Sequence, residues 1–213
     1  MTILTLKRLL LITTASISLI ANQAFSATII YQFDGQILGA DLGGIPDGTP
    51  YFGEFSYEDD SPNLGTNPDI GVYEYNYFEV TIGSETIFAD LSSTASGTPP
   101  RIFINNFPSS DSMNVNANPA GGSVGTYASV LGFNVAFSDS DVFDDTSLPG
   151  PDLTIDDFQF SNFSALATLS NGVQVNFGGT VDSLQAIPIP ASIWLLATGF
   201  MGLIGVARRR KAT

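Results

Sequence analysis

Apolar and polar residues alternate with a period of two along much of this chain, and this pattern constrains the fold more than any other feature. A strand that buries one face has this period because successive side chains point to opposite faces of a sheet. Stretches 51–58 and 113–118 show it clearly. In the longest stretch, one face is predicted to carry Tyr127, Leu131, Phe133, Val135 and Phe137. Each stretch is therefore predicted to be a half-buried strand.

The strands are separated by clusters of Gly, Pro, Asn and Asp, and about nine or ten short strands are predicted with no amphipathic helix between them. Asn171-Gly172 predicts a hairpin with a type I′ turn, since both positions of that turn need positive φ. Between Tyr73 and Ile82 the apolar phase shifts, which leaves a bulge or a strand covered on both faces as alternatives. The pattern predicts an all-β fold, an antiparallel β-sandwich of jelly-roll type.

The amino terminus, residues 1–26, has the parts of a secretory signal peptide. Two basic residues precede an apolar stretch from Leu9 to Ile20, and small residues follow it. Cleavage between Ser26 and Ala27 is predicted because Ala24 and Ser26 fit the small-x-small rule. An uncleaved anchor is the alternative, although this apolar stretch is shorter than the roughly 20 residues of a spanning helix.

The carboxyl terminus contains a candidate transmembrane helix at about residues 191–207, a stretch without a charge. As a helix it would be roughly 25 Å long, against a hydrocarbon core of about 30 Å. Pro190 suits the first helical turn and Trp194 suits the membrane interface. A basic tail follows, which consists of Arg208, Arg209, Arg210 and Lys211. Basic residues next to an apolar helix favour the cytoplasmic side, so the tail predicts a cytoplasmic carboxyl end and an exported domain. A buried helix of a soluble protein is the alternative.

The terminal segment 188–213 resembles the carboxyl-terminal sorting signal of PEP-CTERM proteins. Three parts occur in the order of that signal: a Pro-x-Pro motif, an apolar helix with glycines, and a basic tail. The residues that carry the resemblance, besides the basic tail, are Pro188, Ile189, Pro190, Ala191, Trp194, Gly199, Gly202 and Gly205. The position between the prolines is usually Glu in the family and is Ile189 here.

That resemblance implies an exosortase as partner, a membrane-embedded cysteine transpeptidase that processes the tail during export in exopolysaccharide-producing bacteria. It implies a precursor anchored in the inner membrane that later reaches the cell surface or the exterior. Signal peptidase is the partner implied by the amino-terminal segment. The sorting signal implies nothing about the chemistry of the domain between the two ends.

Charge is concentrated in the predicted extracytoplasmic domain, residues 27–187. All 21 acidic residues of the chain lie between Asp34 and Asp182, and Arg101 is the one basic residue in this domain, so its net charge is −20. Nucleic acid is therefore excluded as a partner, and anionic membrane surfaces are unsuitable.

The chain has no cysteine and no histidine, and the domain has no lysine. Disulfides, catalytic triads, imidazole-bound zinc and Schiff-base chemistry are excluded as a result. A pair of carboxylates, as in glycoside hydrolysis, is the enzyme mechanism that remains. Nothing in the sequence distinguishes one carboxylate from the others, so we predict that the domain is not an enzyme.

Seven carboxylates occur between Asp139 and Asp157, and they raise the question of a calcium ion. Calcium takes six to eight oxygen ligands, which a loop rich in Asp can supply. The candidate ligands are Asp139, Asp141, Asp144 and Asp145. The spacing is not that of an EF-hand, and a solvated loop of like charges is the alternative.

The sequence therefore predicts an exported, non-enzymatic cell-surface or extracellular-matrix protein, associated with exopolysaccharide and needing no cofactor unless calcium binds. A calcium-supported carbohydrate-binding module is the alternative, and a carboxylate-dependent glycoside hydrolase follows it. For the binding module, Tyr73, Tyr75 and Tyr77 are a candidate platform on which sugars stack; a half-buried core stripe is the other interpretation.

Overall fold

Ten antiparallel strands make up the fold in the computed structural model, which describes residues 26–39, 44–91, 100–119, 123, 125 and 127–187. A short 3-10 helix at Ile155–Asp157 is the one helical element among them. The strands are β1 Thr28–Leu38, β2 Pro50–Glu58, β3 Ile70–Tyr73, β4 Tyr77–Ile82, β5 Glu85–Phe88, β6 Arg101–Phe107, β7 Ser110–Ala117, β8 Tyr127–Asp139, β9 Phe160–Leu169 and β10 Gln174–Ala186. The all-β antiparallel prediction is confirmed.

Most of the predicted signal peptide, residues 1–25, and the whole sorting segment, residues 188–213, lie outside the described residues. Within the part that the structure describes, no helix has the length and apolar character needed to cross a membrane.

The strands are hydrogen-bonded in one continuous series, β3-β6-β7-β8-β9-β10-β1-β2-β4-β5. The sheet curls so that its two halves pack face to face. The ring of Tyr51 in β2 stacks on Phe163 in β9 with centroids 4.5 Å apart, and Phe78 in β4 lies 6.2 Å from Phe133 in β8. Two facing layers therefore enclose the core, as in a sandwich. They belong to one sheet, in contrast to the expected jelly roll, because β1 pairs with β10 and joins the halves.

The inner face of the curled sheet is the hydrophobic core, and aromatic side chains dominate it. The predicted apolar face of 51–58 and 113–118 is confirmed, since the odd-numbered apolar residues of both stretches are buried. The alternation is broken at Ser56 and Asn118, which are also buried. The largest fully buried side chains include Tyr31, Phe33, Phe55, Tyr57, Phe78, Tyr127, Phe137 and Phe163. Aromatic rings supply much of the buried area because each buries more surface than an aliphatic side chain.

Strand β8 departs from the predicted alternation near its start. Leu131, which was predicted to lie on the buried face, is half-buried, and the core residue at this point is its neighbour Val130. The register of β8 with β9 shifts between Tyr127 and Ser129 and again between Val130 and Gly132. Irregular pairing of this kind changes which residues face the core, so the assignment of Leu131 to the core face was wrong.

The hairpin at Asn171-Gly172 is confirmed, but its turn is not type I′. Gly172 has a φ of 83°, whereas no residue other than glycine has a positive φ in the described ranges, Asn171 included. The Gly172 N–H donates to the Leu169 carbonyl at 2.9 Å, and the Asn171 side-chain oxygen accepts the Val173 N–H at 3.0 Å. The Leu169 N–H also donates to the Val173 carbonyl at 2.8 Å, so the loop is residues 170–172. It is one residue longer than a type I′ hairpin loop, and only its last position, Gly172, needs glycine.

The phase shift between Tyr73 and Ile82 marks a crossing of the chain from one half of the sheet to the other. Residues 70–73 pair with β6, whereas 77–82 pair with β2 and β5. A short corner separates the two strands, and in it the Asn76 N–H donates to the Ser56 carbonyl at 2.7 Å. The stretch is thus two strands, and neither of the two predicted alternatives was right.

Candidate functional site

The acidic segment, residues 139–157, lies between β8 and β9 and is fastened by tyrosine hydroxyls from the core. Tyr57 donates to the Pro149 carbonyl at 2.7 Å, and Tyr73 donates to the Thr146 carbonyl at 2.7 Å. The Tyr31 hydroxyl donates to the Gly150 carbonyl. Burial raises the pKa of Tyr31 and Tyr57, so both hydroxyls keep their protons and act as donors.

A carboxylate that the sequence analysis did not single out, Asp111 in β7, fastens the beginning of the same segment. Asp111 is 2% exposed, and its Oδ2 atom accepts the N–H groups of Val142 and Phe143, both at 2.7 Å. The odd-numbered residues of β7 face the core, and Asp111 is one of them. This position in the alternation was the signal in the sequence that could have identified Asp111 as a buried carboxylate. Backbone donors satisfy this buried charge.

Two of the four predicted calcium ligands, Asp139 and Asp145, accept hydrogen bonds from their own loop. Asp139 accepts the Ser140 N–H and hydroxyl, and Asp145 accepts the Ser147 N–H at 2.7 Å. These hydrogen bonds lower the pKa of Asp139 and Asp145, because they favour the ionised form. Asp141 and Asp144, the other two candidates, are exposed.

An open cavity of about 550 Å³ lies over the acidic segment, and five carboxylates line it: Asp141, Asp144, Asp145, Asp152 and Asp157. The Asp157 Oδ2 atom accepts the N–H of Thr154 at 2.7 Å, so this carboxylate also serves its own loop. Among the residues that the structure describes, no three acidic side chains converge closely enough to hold a metal ion. The calcium site remains a prediction without an assembled ligand set.

Replacing Asp111 with alanine is expected to lower the free energy of unfolding by about 3 kcal/mol, because two N–H groups lose a charged acceptor. Chemical denaturation of the full chain measures the change. Asp144→Ala is the matched control: its side chain is exposed, so the expected change is within about 0.5 kcal/mol. Equal changes for the two variants would contradict the fastening role of Asp111.

The outer faces of the two halves of the sheet differ in charge. On the half formed by β1, β2 and β4, Glu54 lies opposite Glu79 and Asp34 lies nearby on β1. The Tyr77 hydroxyl donates to Glu79 at 2.5 Å, and partial burial with this bond raises the pKa of Tyr77 to about 12. Repulsion between like charges is tolerated here because these side chains reach solvent.

The outer face of the other half carries asparagines in place of carboxylates. Phe103 lies opposite Asn114 between β6 and β7, and Asn116 lies opposite Asn134 between β7 and β8. These residues, with Asn105 and the loop 64–67, line an open cavity of about 520 Å³. We call it the amide groove. Sequence alternation predicted the outward position of the asparagines in β7, but it could not predict their neighbours on β6 and β8.

Tyr73 and Tyr75, two members of the predicted tyrosine platform, are 5% and 4% exposed, and Tyr77 is half-buried. Tyr75 donates its hydroxyl to the Asn116 carbonyl at 3.1 Å, so it points into the fold. The interpretation as a core stripe is confirmed for Tyr73 and Tyr75. Tyr77 lies instead on the outer face beside Glu79, so the three rings do not form one platform.

The predicted signal-cleavage residues lie at the edge of the described fold. The Ser26 hydroxyl donates to Glu58 at 3.0 Å, and the Ala27 N–H donates to Asp59 at 2.9 Å. The sorting-motif residues 188–191 and the predicted anchor and basic tail are outside the described residues. In comparisons with known proteins, neither a family model, nor a curated protein, nor a solved structure matches this chain.

Proposed function

We propose that this chain is an exported, non-enzymatic cell-surface or extracellular-matrix protein that is sorted through a PEP-CTERM-like signal and associates with exopolysaccharide. In this proposal, signal peptidase removes residues 1–26, and a transmembrane helix at 191–207 holds the precursor in the inner membrane with its carboxyl end in the cytoplasm. An exosortase-type transpeptidase then processes the tail. The mature domain, 27–187, reaches the surface or the exterior.

The observation that carries this proposal is the position of the two ends of the fold. Strand β1 begins at Thr28, directly after the predicted cleavage site, and β10 ends at Ala186, directly before the Pro-x-Pro motif. Both processing events would therefore leave all ten strands intact. The two ends also lie together, since Tyr31 pairs with Ala186 and the Ile187 N–H donates to the Ile30 carbonyl at 2.8 Å. A precursor tethered at both ends could thus face one membrane.

The charge around Ala27 supports cleavage at this bond. Its backbone nitrogen already lies 2.9 Å from the Asp59 Oδ1 atom, and Ser26 lies between the carboxylates of Glu58 and Asp59. Cleavage after Ser26 would convert this nitrogen into a charged ammonium group that faces Asp59. An ion pair would then replace a neutral donor, which strengthens the hydrogen bond.

A non-enzymatic role is supported by the chemistry of the carboxylates. Among the described residues, Asp111 is the one carboxylate that is buried, and backbone N–H groups occupy it. Glycoside hydrolysis needs two carboxyl groups across a cleft, one of them with a raised pKa. Glu54 and Glu79 are half-buried neighbours on one outer face and do not face each other across a cleft, so they do not favour the hydrolase alternative.

Intact mass of the protein from surface and membrane fractions of the native host tests the proposal. We expect a surface species that starts at Ala27 and ends near Pro190. A Pro188→Ala/Pro190→Ala variant should accumulate in the membrane with its tail, whereas Lys211→Arg, which keeps the charge, should be processed normally. A wild-type product that stays in the membrane and retains residues 208–211 would overturn the sorting proposal.

A further inference from the structure

The amide groove is closed on one side by the loop that follows β2. The Leu64 N–H donates to the Val72 carbonyl at 2.8 Å, and the Asn63 side-chain oxygen accepts the Val72 N–H at 3.0 Å. These bonds hold residues 64–67 along the free edge of β3, so that the loop forms a wall beside the outer face of the sheet. The opposite side of the groove is open to solvent.

Hydrogen-bonding capacity remains unused in the groove. Asn105 and Asn114 each donate one amide hydrogen to the Ser112 hydroxyl, at 2.8 and 3.0 Å, and Asn134 donates one to the Asn116 side-chain oxygen. Each of these three amides keeps a second hydrogen and its own oxygen without a partner among the described residues. An amide presents a donor and an acceptor side by side, which matches a pair of neighbouring hydroxyl groups.

The groove continues into two neighbouring cavities along the outer face. A cavity of about 310 Å³ shares Asn116 and Asn134 with it, and a third, of about 570 Å³, shares Ser164 and Asn176 with the second. The three together run from β6 to β10. The combined volume of the three cavities exceeds that of a pocket for one small ligand, which measures about 300 to 1,000 Å³. Their combined shape suits an extended polymer.

Among the residues that the structure describes, none that lines the three cavities is charged. This contrasts with the rest of the domain, which carries a net charge of −20 between residues 27 and 187, and with the cavity over the acidic segment, which five carboxylates line. Arg101, the one basic residue in the described part of the chain, is paired with Glu74 at 3.1 Å. An anionic polymer would be repelled by the domain and would find no cation to bind, whereas a neutral polymer avoids both penalties.

We propose that the amide groove binds a neutral polysaccharide chain. Asparagine side chains bind pairs of sugar hydroxyls, and the half-buried ring of Phe103 offers an apolar surface against the C–H face of one sugar ring. This site needs no calcium and lies on a different half of the sheet from the acidic outer face. The inference rests on the proposed association with exopolysaccharide and gives that association a surface and a chemical class of ligand.

Affinity electrophoresis of the full chain tests this site, in a native gel with a detergent that has no sugar headgroup. Neutral probes are mixed-linkage β-glucan, dextran and galactomannan, and alginate is the anionic probe. We expect at least one neutral polymer to retard the wild-type chain and alginate to have no effect. Asn105→Asp and Asn114→Asp should each weaken the retardation about tenfold, since each replaces a donor with a charged acceptor.

Ser84→Asp is the matched control, because it adds the same charge in the exposed turn between β4 and β5, away from the groove. It should bind like the wild type, and gels without polymer correct for the change in mobility. Retardation by alginate alone, by no probe, or equally in all variants would overturn the inference, as would self-association without polymer. Sugar binding does not depend on processing, so a correctly processed chain that fails to bind would leave the sorting proposal intact.

Discussion

Replacing Phe33 with alanine is expected to lower the free energy of unfolding by about 3 to 5 kcal/mol, a large part of the stability of a single domain. Phe33 is 1% exposed, and its ring centroid lies 6.0 to 6.2 Å from those of Tyr51, Phe55 and Phe78. These rings come from β2 and β4, so Phe33 joins three strands of the inner face. Its removal would leave a cavity that the stiff neighbouring rings cannot fill.

The position of this ring depends on Gly53, its partner in β2. A Cβ atom at Gly53 would lie 2.2 Å from the end of the Phe33 ring, so the ring occupies the space that a side chain would take. With no side chain at Gly53, Phe33 can cross over β2 and reach Phe78 on β4. This interlocking is specific to the pair, because an added atom at either residue displaces the other.

Phe52→Ala is the matched control for Phe33→Ala. Phe52 is the neighbour of Gly53 on the same strand, but it points to the outer face and is 51% exposed. Its truncation should change the free energy of unfolding by no more than about 1 kcal/mol. Urea denaturation of the full chain measures both variants, and Phe33→Leu serves if the alanine variant does not fold. Similar losses for Phe33→Ala and Phe52→Ala would contradict the assignment of the inner face.

Alternation predicted the class of the fold and most of the core, because a strand buried on one face has apolar residues at every second position. The prediction failed where the pairing of the strands is irregular. In β8 the register shifts moved Val130 inward and Leu131 outward, and a shift of pairing with β9 cannot be read from β8 alone. Glycine at 172 predicted the turn, but the φ of Asn171 depended on the loop length that the flanking strands adopt.

The functional surfaces were harder to predict, because they arise from pairing between strands. The acidic segment is the more conspicuous feature of the sequence, but in the fold its Asp139 and Asp145 bond to their own loop. The amide groove instead combines residues from β6, β7 and β8, and Asn114 becomes informative only beside Asn105 and Asn134. The alternation within one stretch of sequence does not show which strands are neighbours. The neighbours are known only once the strands have paired in the curled sheet.

Alkaline pH is expected to unfold the protein sharply above about pH 10.5, because the core contains several tyrosines that can ionise only after unfolding. Tyr31, Tyr51, Tyr57 and Tyr75 are at most 4% exposed, and burial raises the pKa of each hydroxyl far above its ordinary value. In Tyr51 the carboxylates of Asp182 and Asp34 raise the pKa further. Burial opposes the charged phenolate.

A rise in pH destabilises the folded state because these tyrosines have a higher pKa when folded than when unfolded. A tyrosine in the unfolded chain has a pKa near 10 and loses its proton first, so the contribution to stability is complete below pH 10 and is lost as the pH rises above that value. At pH 11 each residue costs about 1.4 kcal/mol, and four residues cost about 5 to 6 kcal/mol. A loss of this size is comparable with the whole stability of a domain.

Tyrosinate absorbance and circular dichroism, followed together on the full chain from pH 7 to 12, measure this transition. The two signals should change at the same pH, and stability should vary little between pH 7 and 9, because the chain has no histidine or cysteine and its two lysines lie outside the described residues. Tyr75→Phe, which loses one long hydrogen bond to the Asn116 carbonyl, should weaken the alkaline loss by about a quarter. Tyrosines that ionise near pH 10 while the circular dichroism stays native would contradict their burial in the core.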